Sequence, residues 1–194
     1  MTNILRYESS ASEVYDKLKQ IERTGWVMRG VKDPETVYEH TASLVKLAES
    51  LQADLRLTTT ELDDLQHILE VHDWAEALVG DQFVPNEDRA SYEEQKLIKA
   101  EAERTALERL LHDKPYKQTV ADLFARYEVG ADPIAILAKQ LDKYQALELA
   151  LEYEQEQGIP LFEEFLSYYD RDQAFTNPAL LEKIDHLKLN HTKP

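Results

Sequence analysis

The chain is built around the segment Leu69-Glu70-Val71-His72-Asp73-Trp74-Ala75-Glu76-Ala77-Leu78-Val79-Gly80-Asp81. Within it, the adjacent pair His72 and Asp73 lies at the end of an apolar helical run, and carboxylates follow at Glu76 and Asp81. Aspartate and histidine are mediocre helix formers, so a helix interior does not need them for folding. The segment therefore predicts metal binding or acid–base chemistry, and we expect the other helices to bring partner residues to it.

Length and composition limit the kinds of site that the chain can build. With 194 residues it is expected to form one domain, because ~100–200 residues per domain is usual. It contains no cysteine, which excludes disulfides, thiolate metal ligands and thiol nucleophiles. A bound metal must therefore be held by histidine, aspartate and glutamate.

Charge and apolar patterning exclude two classes of partner. A formal charge of −16 repels the phosphate backbone of polymeric nucleic acid, which binds mainly through lysine and arginine. No apolar run approaches the ~18 residues that span a bilayer, and residues 1–6 lack the apolar core of a signal peptide. We therefore expect a cytoplasmic protein that binds neither nucleic acid polymers nor membranes.

Residue composition and spacing predict an all-α fold. The chain has only five glycines, long stretches are rich in alanine, leucine, glutamate and lysine, and no run of alternating β-branched residues is present. Start signals and apolar spacing predict helices over about residues 10–22, 33–51, 58–72, 91–111, 115–128, 133–151, 161–170 and 178–189. The charged residues of the fourth helix, 91–111, are read as a solvated face.

Residues 23–32 form a glycine-bounded, irregular segment that is basic in an otherwise acidic protein. It holds Arg23, Arg29 and Trp26, one of two tryptophans in the chain. Two interpretations stay open: the segment is a loop whose tryptophan fills the core, or it is a loop that faces a ligand.

Two further polar residues lie where a helix normally carries apolar ones. His40 falls on the apolar face of its helix, three residues after Val37 and four before Leu44. Such a histidine is more often a hydrogen-bonded core residue than a ligand. Asp142 lies in the middle of an apolar helix, where aspartate is disfavoured because its side chain competes for backbone hydrogen bonds. It either pairs with a neighbouring lysine at the surface or points inward at a cation.

Taken together, the inward polar groups favour a metal site. Two imidazoles and two carboxylates suit a divalent transition metal that keeps open positions for substrate and water. They are supplied by His40, His72, Asp73 and Asp142. An unpaired aspartate buried in a helical core would cost several kcal/mol, and a cation removes that cost. It also supplies the local positive charge that a phosphate substrate needs.

The order His…His-Asp…Asp resembles the HD superfamily of metal-dependent phosphohydrolases. A longer set of motifs is similar to the HD-domain 5'-deoxynucleotidases over roughly residues 21–184: Arg23-Thr24-Gly25-Trp26-Val27-x-Arg29, Pro34-Glu35-x-Val37-x-x-His40, His72-Asp73-x-Ala75-Glu76-x-x-x-Gly80-Asp81, Lys139-Gln140-Leu141-Asp142, Glu152-Tyr153-Glu154 and Phe175-x-Asn177-Pro178. The resemblance implies a single HD domain over residues 1–194, with a metal core at about 21–155 and C-terminal helices at 160–190 packing on it.

This resemblance also implies an activity, the hydrolysis of 5'-deoxynucleoside monophosphates to deoxynucleoside and phosphate. The implied metal, such as cobalt or manganese, would be held by His40, His72, Asp73 and Asp142. Glu76 and Asp81 would handle the attacking water and the leaving 5'-oxygen, and a second, magnesium-like ion would lie near them and the Gln82 carbonyl. The implied substrate-binding residues are Arg23, Trp26, Arg29 and Gln82, and the implied assembly is a homodimer.

Departures from the family pattern leave alternatives open. Thr24 and Gly25 separate Arg23 from Trp26, whereas the bacterial deoxynucleotidases place tryptophan directly after arginine, so the preference for deoxyribose over ribose is open. The alternatives are a broader nucleotide phosphohydrolase, a nucleotide sensor that binds without turnover, and a helical bundle without a metal.

Overall fold

Helices make up most of the chain in the computed structural model, which describes residues 5–84 and 89–191, with the backbone alone at 89 and 90. They are α1 (Ser12–Leu18), α2 (Thr24–Val27), α3 (Val37–Ser50), α4 (Thr59–Val71), α5 (Glu76–Val79), α6 (Arg89–Leu110), α7 (Lys117–Val129), α8 (Pro133–Gln157), α9 (Phe162–Arg171) and α10 (Pro178–His191). These two ranges contain no strand, only an isolated antiparallel bridge between Glu22 and Thr36, so the predicted all-α class is confirmed. None of the described helices is both long and apolar enough to cross a bilayer.

The central helix α3 begins later than predicted. Asp33 has a left-handed φ of 50°, which a right-handed helix cannot include. The cap is instead Thr36, whose side chain accepts a hydrogen bond from the Glu39 backbone N–H, while the Glu39 carboxylate accepts one from the Thr36 backbone N–H. This reciprocal pair satisfies two backbone donors and starts the helix at Val37.

The other two central helices begin where the sequence predicts. Thr58 and Glu61 form the same reciprocal pair before α4. The Asp132 side chain accepts hydrogen bonds from two backbone N–H groups in the first turn of α8, with Pro133 at the first helical position. Helices α3, α4 and α8 pack against one another and form the frame of the site described below.

The predicted irregular segment contains a short helix, α2, and a buried tryptophan. Trp26 is only 2% exposed and belongs to a small second core with Val31, Ala146, Ala150, Tyr153 and Leu161. Trp26 therefore fills the core, as one of the two interpretations of the segment predicts. Neither α2 nor α5 was predicted, because four residues are too few to show a helical period.

Candidate metal centre

Three helices bring four candidate ligands to one point. His40 comes from α3 and Asp142 from the middle of α8, while His72 and Asp73 directly follow the last residue of α4. The Asp73 Oδ2 atom lies 3.0 Å from His72 Nε2 and 3.8 Å from His40 Nε2, and Asp142 Oδ1 lies 3.1 Å from His40 Nε2. Ligand atoms from His40, His72 and Asp73 all lie within 4.8 Å of one another, which is the spacing of groups that share a metal ion.

The two imidazoles are oriented as metal ligands would be. His72 Nδ1 donates to the Leu69 carbonyl oxygen at 2.8 Å, and His40 Nδ1 lies 2.9 Å from the side-chain oxygen of Gln145. Each Nδ1 thus carries the hydrogen, and each Nε2 offers its lone pair to the cluster. Both Nε2 atoms are buried and have no hydrogen-bond partner among the described residues. Two orphaned nitrogens that face two carboxylates fit a divalent cation.

Asp142 points inward rather than pairing with a neighbouring lysine. Its Oδ2 accepts a hydrogen bond of 3.0 Å from the Tyr127 hydroxyl, and its Oδ1 lies 4.0 Å from the Arg23 guanidinium. Lys139, one turn earlier, donates to the Glu128 carbonyl oxygen instead. The carboxylate is therefore turned toward the cluster.

Electrostatics favour the ionised form of Asp73. Burial alone would raise the pKa of its carboxyl, but His72, then His40 and Arg23, lower that pKa well below its usual range. The Arg23 guanidinium lies 3.7 Å from Asp73 Oδ2. A carboxylate that stays charged is available as a metal ligand.

Glu76 lies one turn after Asp73 in a different electrostatic environment. Its side chain is buried, and its Oε2 has no hydrogen-bond partner among the described residues. Burial raises the pKa of the Glu76 carboxyl well above its usual range, and the carboxylates of Asp73 and Asp81 raise it further. Two nearby carboxyl groups with pKa values shifted in opposite directions are typical of acid–base chemistry.

Asp81 follows a turn at Gly80, whose φ of 75° favours glycine. Its Oδ2 accepts a hydrogen bond of 2.6 Å from the Thr24 backbone N–H, and its carbonyl oxygen accepts one from the Thr24 hydroxyl. These contacts fix the segment after α5 against α2. The carboxylates of Glu76 and Asp81 both open onto a cavity of about 420 Å³. The cavity is lined by Arg23, His72, Asp73, Glu76, Asp81, Glu93, Lys96, Leu97, Lys99, Ala100, Glu103, Tyr127, Glu128, Lys139 and Asp142.

Comparison with known proteins agrees with this geometry. The HD domain family model matches residues 15–184. The chain belongs to the HD domain family. The predicted resemblance is therefore confirmed over most of the sequence.

Relatives of this HD domain share a name that states an activity. The 5'-deoxynucleotidase HDDC2 of Xenopus laevis is 35% identical over 87% of this chain and 79% of its own length. The 5'-deoxynucleotidase HDDC2 of Danio rerio is 29% identical over 96% of this chain and 87% of its own length. Among solved structures, a conserved hypothetical protein from Pyrococcus furiosus is 25% identical, with a TM-score of 0.71 over 92% of this chain and 98% of that one.

The cavity of about 420 Å³ is also lined by lysines that the sequence pattern does not distinguish from exposed ones. Lys99 of α6 lies with its Nζ 3.7 Å from Glu76 Oε1 and 3.3 Å from Glu103 Oε1. The prediction that the charged residues of this helix form a solvated face is thus partly wrong, since Lys99 and Glu103, with Lys96, line the cavity. A helix with charges on every face carries no signal that separates these residues from exposed ones.

Three of the predicted substrate-binding residues, Arg23, Trp26 and Gln82, line a second cavity of about 330 Å³. It shares Arg23, Asp81, Lys96 and Lys99 with the first. Trp26 borders it, although its ring is buried and stacks on Phe165 at 4.7 Å. Gln82 is exposed at the same cavity. Trp26 is therefore a buried residue in the wall of the second cavity, and Gln82 is a solvent-exposed residue at its edge.

Arg29 is not brought to the metal centre. Its guanidinium pairs with Glu164 at 2.6 Å, donates to the Gly25 carbonyl oxygen and lies over the Phe165 ring. These contacts tie α2 to α9. Of the two predicted arginines, Arg23 is the one that faces the candidate ligands.

Proposed function

We propose that this HD domain hydrolyses 5'-deoxynucleoside monophosphates to a deoxynucleoside and phosphate. The single observation that carries the proposal is the convergence of two orphaned Nε2 atoms, from His40 and His72, with the carboxylates of Asp73 and Asp142. The names of relatives that match over most of the chain support the substrate class.

His40, His72, Asp73 and Asp142 would hold the metal, and the resemblance to the HD-domain 5'-deoxynucleotidases implies an ion such as cobalt or manganese. When bound, such an ion supplies a Lewis acid for the phosphoryl oxygens. We also propose that a second ion, such as magnesium, binds near Glu76, Asp81 and the Gln82 carbonyl.

The chain's own residues supply positive charge and proton transfer. Arg23 lies within 4.0 Å of both Asp73 and Asp142, and its guanidinium would bind the phosphate. Lys96 and Lys99 add positive charge to a cavity in a protein of net charge −16. Glu76 would orient the attacking water and take its proton, while Asp81 would act on the leaving 5'-oxygen.

The predicted substrate-binding residues differ in what they contact. Gln82 and Trp26 border the cavity beside Arg23, where a sugar and base would extend from the phosphate. Arg29 would affect substrate binding only by holding α2 in position, because its guanidinium is already paired with Glu164. Hydrolysis of dAMP and AMP, measured side by side, would settle the preference for deoxyribose.

A phosphate-release assay tests the proposal. Purified protein freed of metal should release phosphate from 5'-deoxynucleoside monophosphates on addition of Co(II) or Mn(II), and a chelator should stop the reaction. Release from no 5'-monophosphate by metal-loaded protein would contradict it. Tight binding of the nucleotide without release, seen by calorimetry, would instead support the nucleotide sensor.

The proposal includes a cytoplasmic homodimer built from single HD domains of residues 1–194. Sedimentation of the purified protein is expected to give twice the chain mass of 22.5 kDa. A species of single chain mass at micromolar concentration would contradict the dimer without affecting the hydrolase assignment.

A further inference from the structure

A buried chain of hydrogen bonds runs from the candidate ligand His40 to the α2 segment. The His40 Nδ1 atom lies 2.9 Å from Gln145 Oε1, Gln145 Nε2 donates to Glu35 Oε2 at 3.0 Å, and Trp26 Nε1 donates to Glu35 Oε1 at 3.3 Å. The Glu35 side chain is only 9% exposed, and the other three residues are buried. The four side chains come from three parts of the sequence, so the chain links the metal centre to the wall of the second cavity.

The direction of these hydrogen bonds follows from Glu35. Its Oε1 accepts the indole N–H of Trp26 and its Oε2 accepts an amide N–H of Gln145, so the amide nitrogen of Gln145 faces Glu35. The amide oxygen then faces His40 and can only accept, which leaves the hydrogen on His40 Nδ1. The lone pair of His40 is thereby held on Nε2, which faces Asp73 and Asp142.

Two hydrogen bonds of its own backbone hold Glu35 in place. Its N–H donates to the Tyr153 hydroxyl at 2.8 Å, and its carbonyl oxygen accepts from the Arg23 N–H at 3.0 Å. Arg23 faces the candidate metal ligands. Glu35 is therefore linked both to Arg23, through its backbone, and to His40, through Gln145. A displacement of Glu35 would move Arg23, Trp26 and the orientation of Gln145 together.

We propose that Gln145 and Glu35 are positioning residues that fix the ring of His40 for metal binding and tie it to the segment carrying Arg23 and Trp26. The proposal rests on the proposed function, because it assumes that His40 Nε2 binds the metal. Neither residue need touch the substrate; both act through His40. Partners that orient a ligating histidine in this way typically change metal affinity by ~10- to 100-fold when removed.

Substitution of Gln145 by methionine tests the proposal. Gln145→Met keeps the length of the side chain but removes the acceptor for His40, and we expect it to lower Co(II) affinity by ~10- to 100-fold in titration calorimetry. The matched control is Gln140→Met on the same helix. Gln140 is also buried, and its amide bonds Thr176 and Asn177 rather than His40, so this variant should bind Co(II) as the wild type does.

A second measurement separates positioning from loss of stability. In the metal-free protein, the His40 Nδ1–H should give a slowly exchanging NMR signal, which Gln145→Met should lose and Gln140→Met should keep. Should Gln145→Met fail to fold, Glu35→Gln serves instead. It leaves the Gln145 amide free to turn its nitrogen toward His40, and it should weaken both Co(II) binding and the signal.

The outcomes distinguish this inference from the proposed function. Failure of the wild type to bind Co(II) would overturn the proposed function and the inference with it. Binding by the wild type and equally tight binding by Gln145→Met or Glu35→Gln would overturn the inference alone. Equal losses in Gln145→Met and Gln140→Met would also overturn it, since both would then act through stability.

Discussion

Asp73→Asn is expected to abolish metal-dependent phosphate release and to leave the protein without bound metal after dialysis. Asparagine keeps the size of the side chain but removes the negative charge that faces both His72 and His40. Loss of a metal that stabilises transition-state charge by several kcal/mol corresponds to roughly a 10³-fold fall in kcat/KM. Phosphate release and metal content measured on the same preparation check the two effects together.

The chain supplies a matched control in its other His-Asp dipeptide, His112 and Asp113. The Asp113 side chain is 86% exposed, and its φ of 61° is a conformation that asparagine tolerates. Asp113→Asn should therefore retain both metal and activity. Full activity of Asp73→Asn, or equal losses in the two variants, would contradict the assignment of Asp73 as a ligand.

The comparison of the two dipeptides shows what the sequence could predict. The same two residue types are a pair with a buried histidine and a half-buried aspartate after α4, and an exposed pair after α6. The apolar run before His72 distinguishes them. Period and cap signals are local, so the all-α class and the starts of α4 and α8 could be read from the sequence. The inward positions of His40 and His72 followed from the same apolar period.

Features set by tertiary packing could not be read in this way. Trp26 had two open interpretations because its burial depends on Phe165 and Tyr153, which lie more than a hundred residues away in sequence. The role of Gln145 is not visible in the sequence, since a glutamine on a long helix gives no local sign of a partner such as His40. The sequence predicts too early a start for α3 because Asp33-Pro34 is a good start signal, whereas Asp33 has a left-handed φ that a helix cannot include.

A second large effect is expected from Glu76→Gln. The substitution keeps the shape of the side chain but prevents proton transfer, and it leaves the four candidate metal ligands intact. We therefore expect kcat to fall by ~10²–10⁴-fold, as for loss of a general base, while Co(II) affinity is unchanged. Steady-state kinetics and calorimetry on one preparation check both parts.

The pH dependence of stability gives an independent check on the environment of Glu76. Its pKa is raised in the folded state by burial, then by Asp73 and Asp81. Above the unfolded-state pKa the unfolded chain therefore releases this proton more readily, so the free energy of unfolding falls as pH rises. Glu76→Gln removes this loss, and the metal-free variant should have a higher Tm than the wild type at pH 8 but not at pH 4.

Glu103→Gln is the control that separates these two effects. Glu103 is also buried beside Lys99, and burial raises the pKa of its carboxyl as well. Its removal should shift Tm in the same direction as Glu76→Gln but should leave kcat within the range of the wild type. If Glu76→Gln also kept its kcat, proton transfer would have to pass to Asp81, whose carboxylate is already bound to the Thr24 N–H.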